Sequence, residues 1–125
     1  MSHTDCVSVL ERVRGARGRI LAVTHERPDG DAIGSLCGFM SLLKCNGFEV
    51  DAFVPEGTIP SNYMSFMPAE LLGSLPADPS FFSRYNLLVS IDASTAKRVC
   101  VPPYALADIP LPCVNIDHHP DNEMF

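Results

Sequence analysis

The chain has 125 residues, 46% of them hydrophobic, and its nine Lys and Arg against 15 Asp and Glu give a formal net charge of −6. That length fits one domain with a buried core, no run approaches the roughly 20 apolar residues that span a bilayer, and charges interrupt Met1 to Arg19 where a signal peptide needs an apolar centre. We therefore expect a soluble cytoplasmic protein with no membrane partner, and the acidic balance argues against a broad basic face for long duplex nucleic acid.

From Asp5 to Arg17, Cys6, Val9, Leu10 and Val13 follow the i, i+3, i+4, i+7 spacing of one helical face, with Thr4 or Asp5 as cap. Arg19 to Thr24 (RILAVT) is a compact apolar run whose length and flanks predict a buried strand, leaving His25 just past its end. Ile33, Leu36, Phe39, Met40, Leu42 and Leu43 predict a helix over Asp31 to Asn46, with Gly47 as the residue that ends it. Phe48 to Val54 alternates apolar and polar residues as a strand does, and Pro55 and Gly57 stop it.

Ile59 to Ser83 is rich in proline and aromatics and suggests short helices near Asn62 to Phe66 and Glu70 to Leu72. Leu87 to Ile91 and Cys113 to Ile116 are short apolar runs ending at Asp92 and Asp117, and the proline-rich stretch between them has room only for a short helix. Strands alternating with helical or irregular crossovers imply an α/β fold, three layers deep, with a mainly parallel sheet and helices on both faces. Cys6, Cys37, Cys45, Cys100 and Cys113 form no CxxC pair and no regular spacing, so they read as reduced thiols.

The chemistry gathers at the strand ends, where ligands bind in open parallel sheets. His25, Asp29 and Asp31 follow the first strand, Asp92 a later one, and Asp117, His118 and His119 the last. Imidazoles mixed with carboxylates suit manganese, magnesium or iron better than structural zinc. The donors exceed what one ion needs, which points to two ions that together activate water and hold a phosphoryl group. Each cluster alone has a plainer reading: Asp29-Gly30 is a common turn pair, and Asp92 before Ala93 and Ser94 has the look of a cap. Their joint occurrence at equivalent strand ends favours the metal site.

Three motifs resemble those of the DHH phosphoesterases: THERPDGDAIGS (Thr24 to Ser35), VSIDAS around Asp92, and NIDHHPDN (Asn115 to Asn122). The likeness runs from Arg19 to Phe125, in the family's order, and is strongest to the oligoribonucleases that also dephosphorylate 3′-phosphoadenosine 5′-phosphate (pAp). It implies that His25 and Asp29 hold one Mn²⁺ or Mg²⁺, that Asp31 and His118 hold the other, and that Asp92 bridges both. It further implies that His119 meets the substrate phosphate, that Asp117 orients a ligand from behind, and that Arg98 and Asn122 support substrate binding. The catalytic pair would be Asp92 and His119, the substrate a short RNA or a nucleotide phosphate, and the assembly a homodimer, as is frequent in that family.

The family pattern continues past the DHH motif with a further aspartate ligand and a C-terminal substrate-binding domain, whereas this chain stops six residues after His119. The expectation is a truncated N-terminal domain over residues 1–125, whose isolated activity depends on the missing ligand. Cyclic-dinucleotide phosphodiesterases and single-strand exonucleases of the RecJ type share these motifs. From a different class, a non-catalytic metal- or nucleotide-binding fragment is the competing reading.

Overall fold

A computed structural model of the chain describes residues 11, 13–15, 19–55, 57–66 and 71–117. Five strands form one sheet: β1 (Arg19–Thr24), β2 (Glu49–Phe53), β3 (Leu71–Leu72), β4 (Tyr85–Ile91) and β5 (Cys113–Ile116). Every pairing is parallel, and the spatial order is β3-β2-β1-β4-β5. The fold is α/β with helical or irregular crossovers, as the strand spacing implied. The chain winds outward from β1 to β3 in one direction, then returns to lay β4 and β5 on β1's other side. The order therefore reverses between β1 and β4, and such a switch point opens a crevice at the carboxyl ends of the two strands.

One α-helix, α1 (Gly30–Cys45), links β1 to β2 and buries Ala32, Ile33, Leu36, Met40 and Leu43. With Ile20, Ala22, Val50, Ala52, Val89 and Ile91 these side chains build the core on one sheet face. The period explains the packing: every second strand residue and every third or fourth helix residue is apolar. Asn46 is the C-cap and Gly47 takes φ 83°, so that Phe48 N–H reaches Leu43 O at 3.0 Å and Gly47 N–H reaches Lys44 O at 3.1 Å. This paired closure satisfies two carbonyls that the helix end would otherwise leave open, and it needs the left-handed residue that Gly47 supplies.

The other face is covered by irregular chain and 3₁₀ turns. Leu75, Phe82, Val99, Val101 and Ile109 pack there against Leu21, Val23, Phe53, Tyr85 and Leu88. The turn Pro79–Arg84 begins at Asp78, whose carboxylate accepts the Ser80 N–H at 3.0 Å, and it places the Phe82 ring edge-on to Tyr104 with centroids 5.0 Å apart. Of the short helices expected in the proline-rich segments, the one near Asn62 to Phe66 is a 3₁₀ turn, Ser61–Phe66. The one expected at Glu70 to Leu72 is instead strand β3, because Leu71 and Leu72 pair with Ala52 and Phe53 and backbone pairing outweighs the weak local preference of so short a run. The helix expected at Asp5 to Arg17 lies mostly outside the described residues, of which Glu11 and residues 13–15 are helical and Val13 joins the core.

At the amino end of the sheet, Tyr85 donates its phenolic hydrogen bond to Asp51 at 2.7 Å, and Arg19 bridges Glu49 at 3.1 Å. The arginine pair is exposed and adds little. Burial first, then the bond to Asp51, pushes the Tyr85 pKa well above the usual phenol range. We expect Tyr85→Phe to cost about 1 kcal/mol at neutral pH by urea denaturation, the worth of one part-buried hydrogen bond. The raised pKa favours the neutral phenol in the folded state, so its contribution is complete below about pH 10 and is lost as pH rises further. The alkaline decline in stability should accordingly be shallower in Tyr85→Phe.

Candidate metal centre

β1 ends at Thr24, and β4 ends at Ile91, its register partner. Thr24 Oγ donates a buried hydrogen bond to Ile91 O at 2.7 Å, which locks the two strand ends side by side. The next residues out are His25 and Asp92, only 6% and 4% exposed. His25 Nε2 lies 3.4 Å from Asp92 Oδ2 and 3.9 Å from Asp29 Oδ1, and one donor atom from each of the three lies within 4.8 Å of the others.

The imidazole is aimed by its other nitrogen. Nδ1 lies 2.6 Å from Glu26 O, and since a carbonyl oxygen only accepts, Nδ1 carries the hydrogen. In the neutral ring Nε2 then presents a lone pair toward the two carboxylates. Lone pairs and carboxylate oxygens face one another in this way around a cation, whose bonds of about 2.1 Å bring neighbouring donors about 3 Å apart. A divalent ion therefore fits this donor set, which is one nitrogen and two oxygens without thiolate.

Asp29 has two tasks. It is the N-cap of α1, and its Oδ1 accepts the Ala32 N–H at 2.9 Å. That bond, ahead of the smaller effect of His25, holds its carboxyl below the usual range, so it is ionised at neutral pH. A helix N-terminus adds positive potential where the carboxylate sits. At Gly30 the chain passes close to Tyr63: a Cβ there would stand 2.7 Å from Tyr63 Oη, so a larger residue would displace that side chain.

The backbone is strained on both sides of the cluster. Arg27 at φ 49° and Asp92 at φ 64° are the positive-φ non-glycine residues among those described. Each such residue costs on the order of 1–3 kcal/mol unless the surroundings hold it, and such outliers collect at functional sites. Asp92 N–H is tied to Ile116 O at 2.8 Å, and Ala93 and Ser94 are buried behind it.

The other expected site residues are distributed as follows. Asp31 is exposed on the first turn of α1, outside the close group of three. Asp117 is partly buried just past β5, adjacent to the Ile116 carbonyl that holds Asp92. Arg98 is exposed, and its carbonyl accepts the Glu26 N–H at 3.0 Å. His118, His119 and Asn122 lie outside the described residues.

Several supporting parts had no distinct signal in the sequence. Glu26 acts through its backbone carbonyl, which no side-chain pattern reveals. Thr24 was legible as a strand end and the first residue of a motif but not as a hydrogen-bond donor to β4, and Tyr63 only as one aromatic among many in a proline-rich stretch. Ser90 and Asn115, paired across β4 and β5, bring buried polar atoms that make no hydrogen bond among the described residues. They stand two residues before Asp92 and Asp117, so the polar region extends into the sheet below the cluster.

The double role of Asp29 separates stability from metal binding. Asparagine caps a helix about as well as aspartate, whereas alanine costs about 1 kcal/mol. We expect Asp29→Asn to melt near the wild type without metal and Asp29→Ala to melt lower. Both should lose Mn²⁺ affinity by at least about tenfold in calorimetric titration, because each removes a charged donor.

With this geometry in view, comparison with known proteins gives consistent results. The bifunctional oligoribonuclease and PAP phosphatase NrnA of Thermus thermophilus is 34% identical over 118 residues, which is 94% of this chain and 33% of the relative. The chain thus spans about a third of that protein's length. The crystal structure of an exopolyphosphatase-related protein from Bacteroides fragilis superposes with a TM-score of 0.73 at 23% identity, over 94% of this chain and 35% of that one, and it shares the fold. Residues 19–125 match the DHH family, N-terminal domain, and the chain belongs to that family.

Proposed function

We propose that this chain is the metal-binding part of a phosphoesterase that acts on short oligoribonucleotides and on pAp, with two divalent cations, Mn²⁺ or Mg²⁺, as cofactors. The observation that carries the reading is the convergence of His25, Asp29 and Asp92 at the β1–β4 switch point, with donor atoms within 4.8 Å. The match of residues 19–125 to the DHH family and the likeness to an oligoribonuclease and PAP phosphatase support the reaction class.

In this reading His25 and Asp29 hold one ion, Asp31 and His118 the other, and Asp92 both. Bound there, the cations would activate water for attack on phosphorus and offset charge on the phosphoryl oxygens. The protein's own contribution is orientation. The Glu26 carbonyl fixes the ring of His25, the Ala32 N–H fixes the carboxylate of Asp29, and burial keeps water from competing at Asp92. His119 would donate to the substrate phosphate, with Asp117 supporting a ligand and Arg98 and Asn122 supporting the substrate. A homodimer is part of the proposal by likeness to the family.

The test is release of phosphate from pAp and of mononucleotides from a short oligoribonucleotide by the chain with Mn²⁺. Asp92→Ala and His118→Ala should each lower turnover at least about a hundredfold. Unchanged hydrolysis in Asp92→Ala would refute the site. Retained Mn²⁺ binding with no turnover in the wild type would instead make this chain a binding fragment whose catalysis belongs to a longer protein.

A further inference from the structure

Beside the cluster lies an open pocket of about 280 Å³ lined by Glu26, Lys97, Arg98, Cys100, Tyr104 and neighbouring apolar residues, including Val99 and Pro103. Its size is at the small end of ligand sites, enough for a phosphate and an attached sugar. Its position is set by backbone. His25 forms an antiparallel bridge with Val99, Glu26 N–H bonds Arg98 O at 3.0 Å, and Cys100 N–H bonds Thr24 O at 3.0 Å. Residues 98–100 are thereby stitched along residues 24–26. His25 belongs to the cluster, and Glu26, the next residue, belongs to the pocket.

The pocket's charge differs from that of the molecule. Lys97 and Arg98 against Glu26 make a local balance of two positive to one negative, on a chain whose formal net charge is −6. Both basic residues are exposed and so accessible to a ligand. Glu26 lines the pocket with them, and after burial its charge is the second cause that pushes the Cys100 thiol pKa up. Tyr104 also lines the pocket, and its hydroxyl donates to Pro76 O at 2.5 Å, which holds the ring in place as an apolar surface.

We infer that this pocket is a second anion site, which takes a further phosphate of the same substrate while the scissile phosphoryl group occupies the cluster, with Lys97 as the residue that selects for it. The inference rests on the proposed phosphoesterase reading and deepens it. Substrates carrying two phosphates on one nucleoside, or a chain of them, engage both sites, whereas a nucleoside monophosphate engages one. Lys97 supplies a point charge for the second phosphate, and Glu26 opposes it.

The test is calorimetric titration of AMP and of pAp, the latter as a non-hydrolysable phosphonate analogue so that turnover adds no heat, into the Mn²⁺-saturated chain, comparing wild type, Lys97→Ala and Glu26→Gln. All these groups are exposed, so the folds should be intact. We expect Lys97→Ala to lower the affinity for pAp about fivefold to tenfold more than that for AMP. Glu26→Gln should raise the affinity for pAp, again more than for AMP, because a repelling charge is gone. Equal effects on both nucleotides, or none, would overturn the pocket while leaving the metal-site reading to stand on its own hydrolysis test. Failure of the Mn²⁺-loaded wild type to bind pAp at all would overturn both.

Discussion

The pairing of β1 with β4 is the constraint on which the rest depends. The two strands come from distant parts of the chain and run parallel in register from Ile20 and Leu87 to Thr24 and Ile91. The crossovers leave them in opposite directions, so no connection passes over their carboxyl ends. The Thr24 hydrogen bond to the Ile91 carbonyl joins those ends and sets the spacing of whatever follows. His25 and Asp92 follow, and their proximity comes from sheet geometry rather than from any affinity between their side chains.

The two ends of the sheet illustrate different uses of polar burial. At the amino end, Tyr85 and Asp51 form a neutral donor and charged acceptor, a satisfied arrangement worth about 1 kcal/mol. At the carboxyl end, Asp92 and His25 are almost wholly buried, and carboxylates converge around the imidazole. Burial of an ionised carboxylate costs several kcal/mol after relaxation unless a counter-charge offsets it. That cost exceeds the helix cap at Asp29 and is comparable with the backbone strain at Arg27 and Asp92 together. The convergence of an imidazole nitrogen and two carboxylates within 4.8 Å is the physical reason to read a cation site here and a structural hydrogen bond at the other end.

On the proposed reading, the cluster and the adjacent pocket would divide the recognition of an anionic substrate on an acidic protein. Bound cations would reverse the local field at the cluster, and Lys97 with Arg98 would do so at the pocket. Because residues 98–100 are hydrogen-bonded along residues 24–26, the two positive regions keep a fixed separation. A fixed separation favours ligands whose charges have a matching one.

Much of the fold was legible from sequence. The bounds of β1 and β5 agree with their apolar runs, and α1 begins and ends within one residue of its periodic pattern, because local burial period and the Gly47 stop act over a few residues. Leu71–Leu72 was not legible as a strand, since two leucines carry no period and only pairing with β2 decides their state. His25, Asp29 and Asp92 were nameable because donor residues placed just after apolar strands are a local pattern. What sequence by itself determined about this protein is which segments are strands and helix, and which side chains stand at their ends. Only the tertiary structure decided that β4 lies against β1, that Asp29 joins His25 and Asp92 while Asp31 stays on the exposed helix surface, and that Lys97 flanks the cluster. These depend on contacts between residues more than 60 positions apart, as between Thr24 and Ile91, and local preferences hold no record of which strands will be neighbours.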